Sequence, residues 1–179
     1  GIITDGGDAP NIVPAYARAR FYFRAAVKPT LDRLLEKAEK IVQGAALMTG
    51  ARGSIHPCQN YVDNMVVTPL LEEVFAEQME YLGETIEPCS DCSLGSSDVG
   101  NFSQVVPTLQ PSLSISDEKL PAHSEAFRDA AASEKGMAFI PLAAKAMALT
   151  ALALLTRPAL LEAIKKQHAL CVAAQAENI

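Results

Sequence analysis

An alternating stretch near the start of the chain decides the expected fold: residues 16–25 have the sequence YARARFYFRA. Successive side chains of a strand point to opposite sides, so the alanines and phenylalanines fall on one face and the arginines and tyrosines on the other. The pattern predicts a half-exposed strand over residues 16–25. Its polar face would present Tyr16, Arg18, Arg20, Tyr22 and Arg24.

Two amphipathic segments after this stretch predict helices. In the first, apolar residues recur every three or four positions from Leu31 to Ala45, after Pro29 and before Gly50. The second begins with a threonine and a proline at residues 68–69 and ends at Gly83. Proline in the first turn and glycine just past the last turn are typical helix ends, and the spacing is that of a surface helix.

The remaining chain alternates between loop and helix. Residues 84–122 are rich in proline, serine and glycine, and within them residues 105–106 and 113–115 are the strand candidates; residues 51–61 are a weaker one. From about Ser124 a helical pattern runs to the C-terminus, with breaks predicted at Gly136 and Pro158. Strands interleaved with helices predict an α/β architecture of two or three layers.

Composition excludes several classes of protein. The chain has 179 residues, enough for one domain or two small ones, and a formal net charge of −6. Phosphate backbones attract basic surfaces, so nucleic acid is not an expected partner. Four cysteines are too few and too scattered for a disulfide scaffold, which favours a reducing, cytoplasmic location. The chain starts without Met and without a signal peptide, as a piece of a longer protein would.

One apolar run must be tested as a membrane span. Between Phe139 and Thr156 the only charge is Lys145, and the length is close to the roughly 18–20 residues that a span needs. The run is built largely on alanine, which forms helices well and partitions weakly into membranes. We therefore expect a buried core helix and no membrane partner.

Single motifs are weak. Cys89 and Cys92 have the spacing of a redox or zinc pair, but no second pair accompanies them. The segment GSSDVG at residues 95–100 lacks the glycine that a nucleophile elbow needs. Its small residues would still let the backbone approach a polar ligand.

The histidines and arginines leave alternatives open. His123, at a loop–helix junction, is placed to be a metal ligand or base, or is an ordinary surface residue. His168 is expected on the solvated surface beside two lysines, and His56 has a structural role at most. Asn11 and the arginine row can polarise a carbonyl and dock a carboxylate, or the arginines only solubilise a sheet edge.

The motifs occur together in one order. They are GIITDGGDAPNIVP at residues 1–14, ARFYFR at 19–24, GSSDVGNFSQVVP at 95–107, His123-Ser124, and AAKAMALT at 143–150. This order resembles the aminoacylase and glutamate-carboxypeptidase family of two-metal amidohydrolases. The nearest likeness is to the branch of aminobenzoyl-glutamate hydrolase and related dipeptide amidohydrolases, and it covers nearly the whole chain.

The resemblance implies a fold and a set of site residues. Residues 1–64 correspond to the later part of a ferredoxin-like dimerisation domain, and residues 65–179 to the C-terminal part of an α/β metallopeptidase catalytic domain. His123 matches the family's last metal ligand. The substrate-binding positions that match are Asn11, Arg24, Gly95, Ser96 and Ser97, with Arg18 and Arg20 matching less well. No catalytic residue is expected within this chain.

The resemblance also implies a reaction. A homodimer would use two divalent ions, zinc first with manganese or cobalt as alternatives, to hydrolyse the amide bond of a small carboxylate-bearing substrate. Aminobenzoyl-glutamate, a dipeptide and an N-acyl amino acid all remain open. Most metal ligands and the general base lie in a part of the family that has no counterpart here, so these 179 residues alone are expected to be inactive. The alternatives are a non-catalytic dimerisation module and a small-ligand-binding module.

Overall fold

The computed structural model describes residues 1–86 and 95–177, which form two compact units. The first unit is Gly1–Tyr61, and the second begins at Val62. The predicted boundary after residue 64 lies close to this division. The identity of each unit as a part of a dimerisation or catalytic domain stays a prediction.

The first unit contains one small sheet and one long helix. Strand β1 (Ile2–Asp5) pairs antiparallel with strand β2 (Arg18–Arg20), with Ile2 opposite Arg20 and a bulge between Ile3 and Asp5. Helix α1 (Lys28–Thr49) has proline in its first turn and ends at Gly50, whose φ of 73° gives the expected left-handed cap.

The predicted strand over residues 16–25 is much shorter than expected. Only Arg18–Arg20 is strand, because β1 supplies hydrogen-bonding partners for those three residues alone. Alternation by itself does not make a strand, since each backbone amide and carbonyl also needs a partner. For the same reason the candidates at 51–61, 105–106 and 113–115 are wrong: none of them is strand in the described residues.

In the part of the second unit that the structure describes, all regular secondary structure is helical, and loops connect the helices. Its helices are α2 (Pro69–Tyr81), α3 (Val99–Ser103), α4 (Glu125–Ala131), α5 (Glu134–Thr156) and α6 (Pro158–Glu177). The described residues are therefore mostly helical with one two-stranded sheet, and the α/β class stays a prediction.

The core of the second unit lies where α2 packs against α5 and α6. Leu71 and Val74 of α2 meet Ala153 and Ile164, and one turn further on the same helix packs against Ala146. Small residues on α5 let the helices approach closely. Leu109, from the loop between α3 and α4, packs against both clusters of buried residues.

The predicted break at Gly136 is wrong. The helical run is interrupted at Ala132 and Ser133, and Gly136 lies buried in the first turn of α5. A Cβ atom at this glycine would lie 2.5 Å from the carbonyl oxygen of Ala130 and 2.6 Å from that of Ala131. The glycine therefore permits the close approach of α4 to α5 instead of ending a helix.

Helix α5 is less buried than the sequence predicts. It contacts α2, α4 and α6, but these neighbours cover only one of its faces. By length and composition it is a candidate membrane span, and only 17% of its most apolar window is buried. The exposed apolar side chains of this helix are Met137, Ile140, Met147, Leu152 and Leu155.

Two helical glycines, one closely packed and one in open space, predict opposite effects of a glycine-to-alanine substitution. Gly136→Ala should destabilise the chain by about 1–3 kcal/mol, because the new methyl group meets two carbonyl oxygens. Gly44→Ala, in the interior of α1 where a Cβ meets nothing within 4 Å, should stabilise it by about 0.5–1 kcal/mol. Urea denaturation followed by circular dichroism measures both, and equal shifts would contradict the packing argument.

Candidate functional site

The predicted residues of the first unit lie on the surface between β1 and α1. Asn11 is exposed in a turn that the Ile12 amide closes by donating to the Ala9 carbonyl oxygen at 3.2 Å. Arg24 is also exposed, four residues beyond the end of β2. The arginine row is thus broken: Arg18 and Arg20 share a strand, and Arg24 does not continue it.

His123 lies in a tight turn that leads into α4. Ser124 caps this helix, since its hydroxyl accepts from the Phe127 amide at 3.2 Å and donates to the Pro121 carbonyl oxygen at 2.8 Å. His123 itself has a φ of 62°, the only positive φ at a described residue other than glycine. Its ring is exposed and makes no hydrogen bond to another described residue. The chain thus presents an exposed imidazole on a turn that hydrogen bonds of Ser124 close.

The backbone of His123 carries a conformational cost. A left-handed conformation costs an L-residue roughly 1–2 kcal/mol, and such residues concentrate at functional sites. Asn, Asp and His tolerate it better than other side chains do, but glycine would be free of it. The sequence gives no direct signal of this conformation. The left-handed backbone of His123 therefore favours this residue as the candidate site residue of the turn.

The Gly95–Ser97 segment runs directly into α3. Gly95 and Ser96 are exposed, whereas Ser97 is half-buried and closes the first turn: its hydroxyl accepts from the Val99 amide at 3.3 Å, and its carbonyl from the Gly100 amide at 3.1 Å. A Cβ at Gly95 would meet none of the described residues within 4 Å. The open space at Gly95 leaves room beside the backbone on the outer side of this turn.

Close backbone approach occurs at the other end of the motif, at Gly100. A Cβ there would lie 1.9 Å from the Asp63 carbonyl oxygen, so only glycine fits. Asn101 accepts a hydrogen bond from the Asp63 amide through its side-chain oxygen at 2.7 Å. Gln104 donates from its side chain to the Asn64 carbonyl oxygen at 2.8 Å. These contacts fix α3 against the segment that precedes α2.

His168 contradicts its prediction as a solvated surface residue. It is only 6% exposed, and its Nε2 lies 2.7 Å from the carbonyl oxygen of Ser103, which is fully buried. A carbonyl only accepts, so Nε2 is the donor. The position of His168, four residues after the buried Ile164 on α6, is the sequence signal that identifies it as a core residue. His56, by contrast, is exposed and lies 3.0 Å from the Ser54 hydroxyl.

Helix α6 also replaces a missing cap on α2. Thr68 begins α2 as predicted, but its buried hydroxyl makes no capping bond and has no hydrogen-bond partner among the described residues. Instead the Gln167 side chain accepts from the Leu70 amide at 2.8 Å. This long-range cap is invisible in a local sequence pattern, because the two residues are 97 positions apart.

The described residues do not by themselves fit a two-metal centre. Among residues 1–86 and 95–177, no group of three or more His, Cys, Asp or Glu side chains is arranged to hold a metal ion. A zinc site commonly takes three or four protein ligands. His123 is therefore one donor without companions in this part of the chain. Cys89 and Cys92 lie outside the described residues.

The structure distributes the predicted positions over both units. Asn11 and Arg24 belong to the first unit, whereas the Gly95–Ser97 segment and His123 belong to the second. A hollow of about 240 Å³ is formed by residues 113–116, residues 118–120 and Phe127 of α4. Its walls combine leucine, isoleucine and phenylalanine with two serines, a glutamate and a lysine. Ligand binding at these positions stays a prediction.

Comparison with known proteins shows that the first unit resembles a known class of domain. Residues 2–48, which include β1, β2 and nearly all of α1, match the model of a peptidase dimerisation domain. This match agrees with the predicted presence of a dimerisation domain.

The chain as a whole is similar to dipeptidases. It is 36% identical over 172 residues to the Xaa-Arg dipeptidase of Mus musculus and 35% identical over 175 residues to that of Homo sapiens. The matches cover 93% and 95% of this chain but only 39% of each relative, so the chain spans about two fifths of their length. Both comparisons support the metallopeptidase family that the ordered motifs resemble. They do not single out the aminobenzoyl-glutamate branch.

The strained turn predicts that histidine at residue 123 makes the chain less stable than glycine would. His123→Gly should raise the free energy of unfolding by up to about 1 kcal/mol, because glycine adopts a φ of 62° without a Cβ penalty. His123→Ala should give no such gain. Urea denaturation of the two variants and the unmodified chain tests this; equal stability of the two variants would show that the turn carries no strain.

Proposed function

We propose that this chain forms part of a metal-dependent dipeptidase that hydrolyses the amide bond of a small carboxylate-bearing substrate. The observation that carries the proposal is the similarity to two Xaa-Arg dipeptidases over more than nine tenths of the chain. Their name makes a dipeptide with C-terminal arginine the first substrate to test. Aminobenzoyl-glutamate and N-acyl amino acids are the alternatives. We also propose a cytoplasmic homodimer.

Two residues of the first unit would bind the substrate. The Arg24 guanidinium presents a planar fork that matches a carboxylate with two parallel hydrogen bonds. The Asn11 side-chain amide would donate to the carbonyl oxygen as negative charge develops on it. Both side chains are exposed, so a substrate can reach them without any rearrangement of the core.

The second unit would supply the turn and the loop around the reacting group. His123 is the residue of this chain that would donate to a divalent ion, with zinc as the first choice. Its capped turn, with His123 at a φ of 62°, defines the backbone from which the exposed ring would reach the ion. The Gly95–Ser97 segment would border the substrate, since Gly95 and Ser96 are exposed and a Cβ at Gly95 would meet none of the described residues within 4 Å.

The remaining metal ligands and the general base must come from other residues. The described residues offer no cluster of donors around His123, and the relatives are more than twice as long as the matched region. We propose that residues 1–64 act as the later part of the dimerisation domain and residues 65–179 as the end of the catalytic domain. The missing donors would then lie in the unmatched part.

A second candidate function is dimerisation without catalysis. The match of residues 2–48 to a peptidase dimerisation domain favours it. So do Ile41, Leu47 and Met48 of α1, which are 70%, 87% and 83% exposed, because exposed large apolar side chains are typical of a surface that binds another protein.

The chain as given should be inactive by itself. Purified residues 1–179 should neither retain zinc through dialysis nor hydrolyse Lys-Arg or aminobenzoyl-glutamate above the buffer rate, because one histidine is too few ligands for a stable site. Metal analysis and a ninhydrin assay measure this. Hydrolysis by this segment would contradict the proposed division of the ligands.

In the full-length protein, His123→Ala should lower both metal content and rate. We expect at least about a 100-fold loss in kcat/KM, since even the loss of an outer partner of a metal ligand costs about 10–100-fold. Emission spectroscopy gives the metal content, and a Lys-Arg assay gives the rate. His56→Ala is the matched control, because His56 is exposed and its ring lies beside the Ser54 hydroxyl, outside the predicted site. Unchanged metal content and rate in His123→Ala would remove this residue from the site.

A further inference from the structure

We propose that His168 is a positioning residue, which holds the Gly95–Ser97 segment in place through the buried end of helix α3 at Ser103. The proposal rests on the proposed function for its effect on substrate, since that function places the Gly95–Ser97 segment beside the substrate. His168 itself is buried, and its hydrogen bond goes to Ser103 at the far end of α3 from that segment. Its influence is therefore indirect.

The first step of the argument is that α3 is too short to be stable alone. It has 5 residues, Val99–Ser103, and its N-cap Asp98 makes no side-chain capping bond. Isolated helices shorter than about 12 residues are marginal in water. The orientation of α3, and with it the direction of the chain that enters from Gly95, must be set by tertiary contacts.

The second step is that Ser103 makes the fully buried part of those contacts, beside the bonds of Asn101 and Gln104 to residues 63–64. Its hydroxyl accepts from the Val66 amide at 2.8 Å and donates to the Gly100 carbonyl oxygen at 2.6 Å. Ser103 and Val66 are both fully buried. The hydroxyl thus fixes α3 to the segment before α2 and leaves the Ser103 carbonyl oxygen to find a donor elsewhere.

The third step is that His168 satisfies this carbonyl. Its Nε2 lies 2.7 Å from the oxygen, across 65 residues of sequence. A buried carbonyl without a donor would lose the hydrogen bond that it makes with water in the unfolded chain. Removal of the imidazole should therefore loosen the C-terminal end of α3, and the first turn moves with it because α3 has only 5 residues.

Two variants of His168 and one neighbour separate positioning from general stability. His168→Leu fills the space but cannot donate, and His168→Gln keeps a donor of similar reach. Gln167→Leu is the matched control: it removes the adjacent α6 bond to the Leu70 amide and leaves α3 untouched. All three are made in the full-length protein.

Hydrogen exchange measured by mass spectrometry decides the positioning claim. In His168→Leu, exchange at residues 95–103 should become roughly tenfold faster while residues 70–74 stay unchanged. Gln167→Leu should show the reverse, and His168→Gln should restore most of the protection at residues 95–103. Uniform acceleration across the second unit in His168→Leu would overturn the proposal, because it would mean a loss of general stability alone.

Kinetics on Lys-Arg decides whether this positioning matters for substrate. His168→Leu should raise KM several-fold with a smaller change in kcat, and Gln167→Leu should leave KM unchanged. An unchanged KM in His168→Leu, together with faster exchange at residues 95–103, would refute the effect on substrate. If the unmodified protein hydrolyses no dipeptide, the proposed function fails, and the exchange result still decides the positioning claim.

Discussion

The hydrogen bonds of one buried serine organise the second unit. Ser103 joins three segments that are far apart in sequence: the chain before α2, the short helix α3 and the long helix α6. Each bond satisfies a polar group that would be costly to bury alone. Because the three bonds meet at one residue, a shift of any of these segments would leave a buried donor or acceptor without a partner. The apolar contacts of α2 with α5 and α6 hold the helices together, and the polar contacts determine where the connecting segments lie.

Much of the helical structure was predictable, because helix ends have local causes. The proline at the start of α1 and the left-handed glycine after it mark its bounds within a residue or two of the prediction. Thr68 and Pro69 likewise locate the start of α2, and Pro158 begins α6. Each of these signals acts within one turn of the residue concerned, so the sequence alone contains them.

The strands and the buried polar contacts were not predictable in the same way, because their causes are distant in sequence. The alternation over residues 16–25 states which faces a strand would have, but only pairing with Ile2–Asp5 decides that three residues form one. Glycine is a residue type that disfavours helix interiors, which is why the sequence predicts a break at Gly136. Its actual role depends on two carbonyl oxygens of α4 that lie close to it. His168 follows two lysines in the sequence, yet its side chain is buried in the structure. For the candidate site, the motifs indicated residues, whereas the strained backbone of His123 and the requirement for glycine at residue 100 came only from the structure.

The exposed side of α5 affects how the newly synthesised polypeptide is handled in a cell. Met147, Leu152 and Leu155 are 58%, 54% and 79% exposed, on a helix whose opposite face is already packed. Full burial of one such side chain contributes about 1.5–3 kcal/mol, so an uncovered helix of this kind is attractive to chaperones and to other nascent chains. Exposure of these side chains would therefore favour capture of the polypeptide by the quality-control machinery, and its cellular level would fall the longer they stay uncovered.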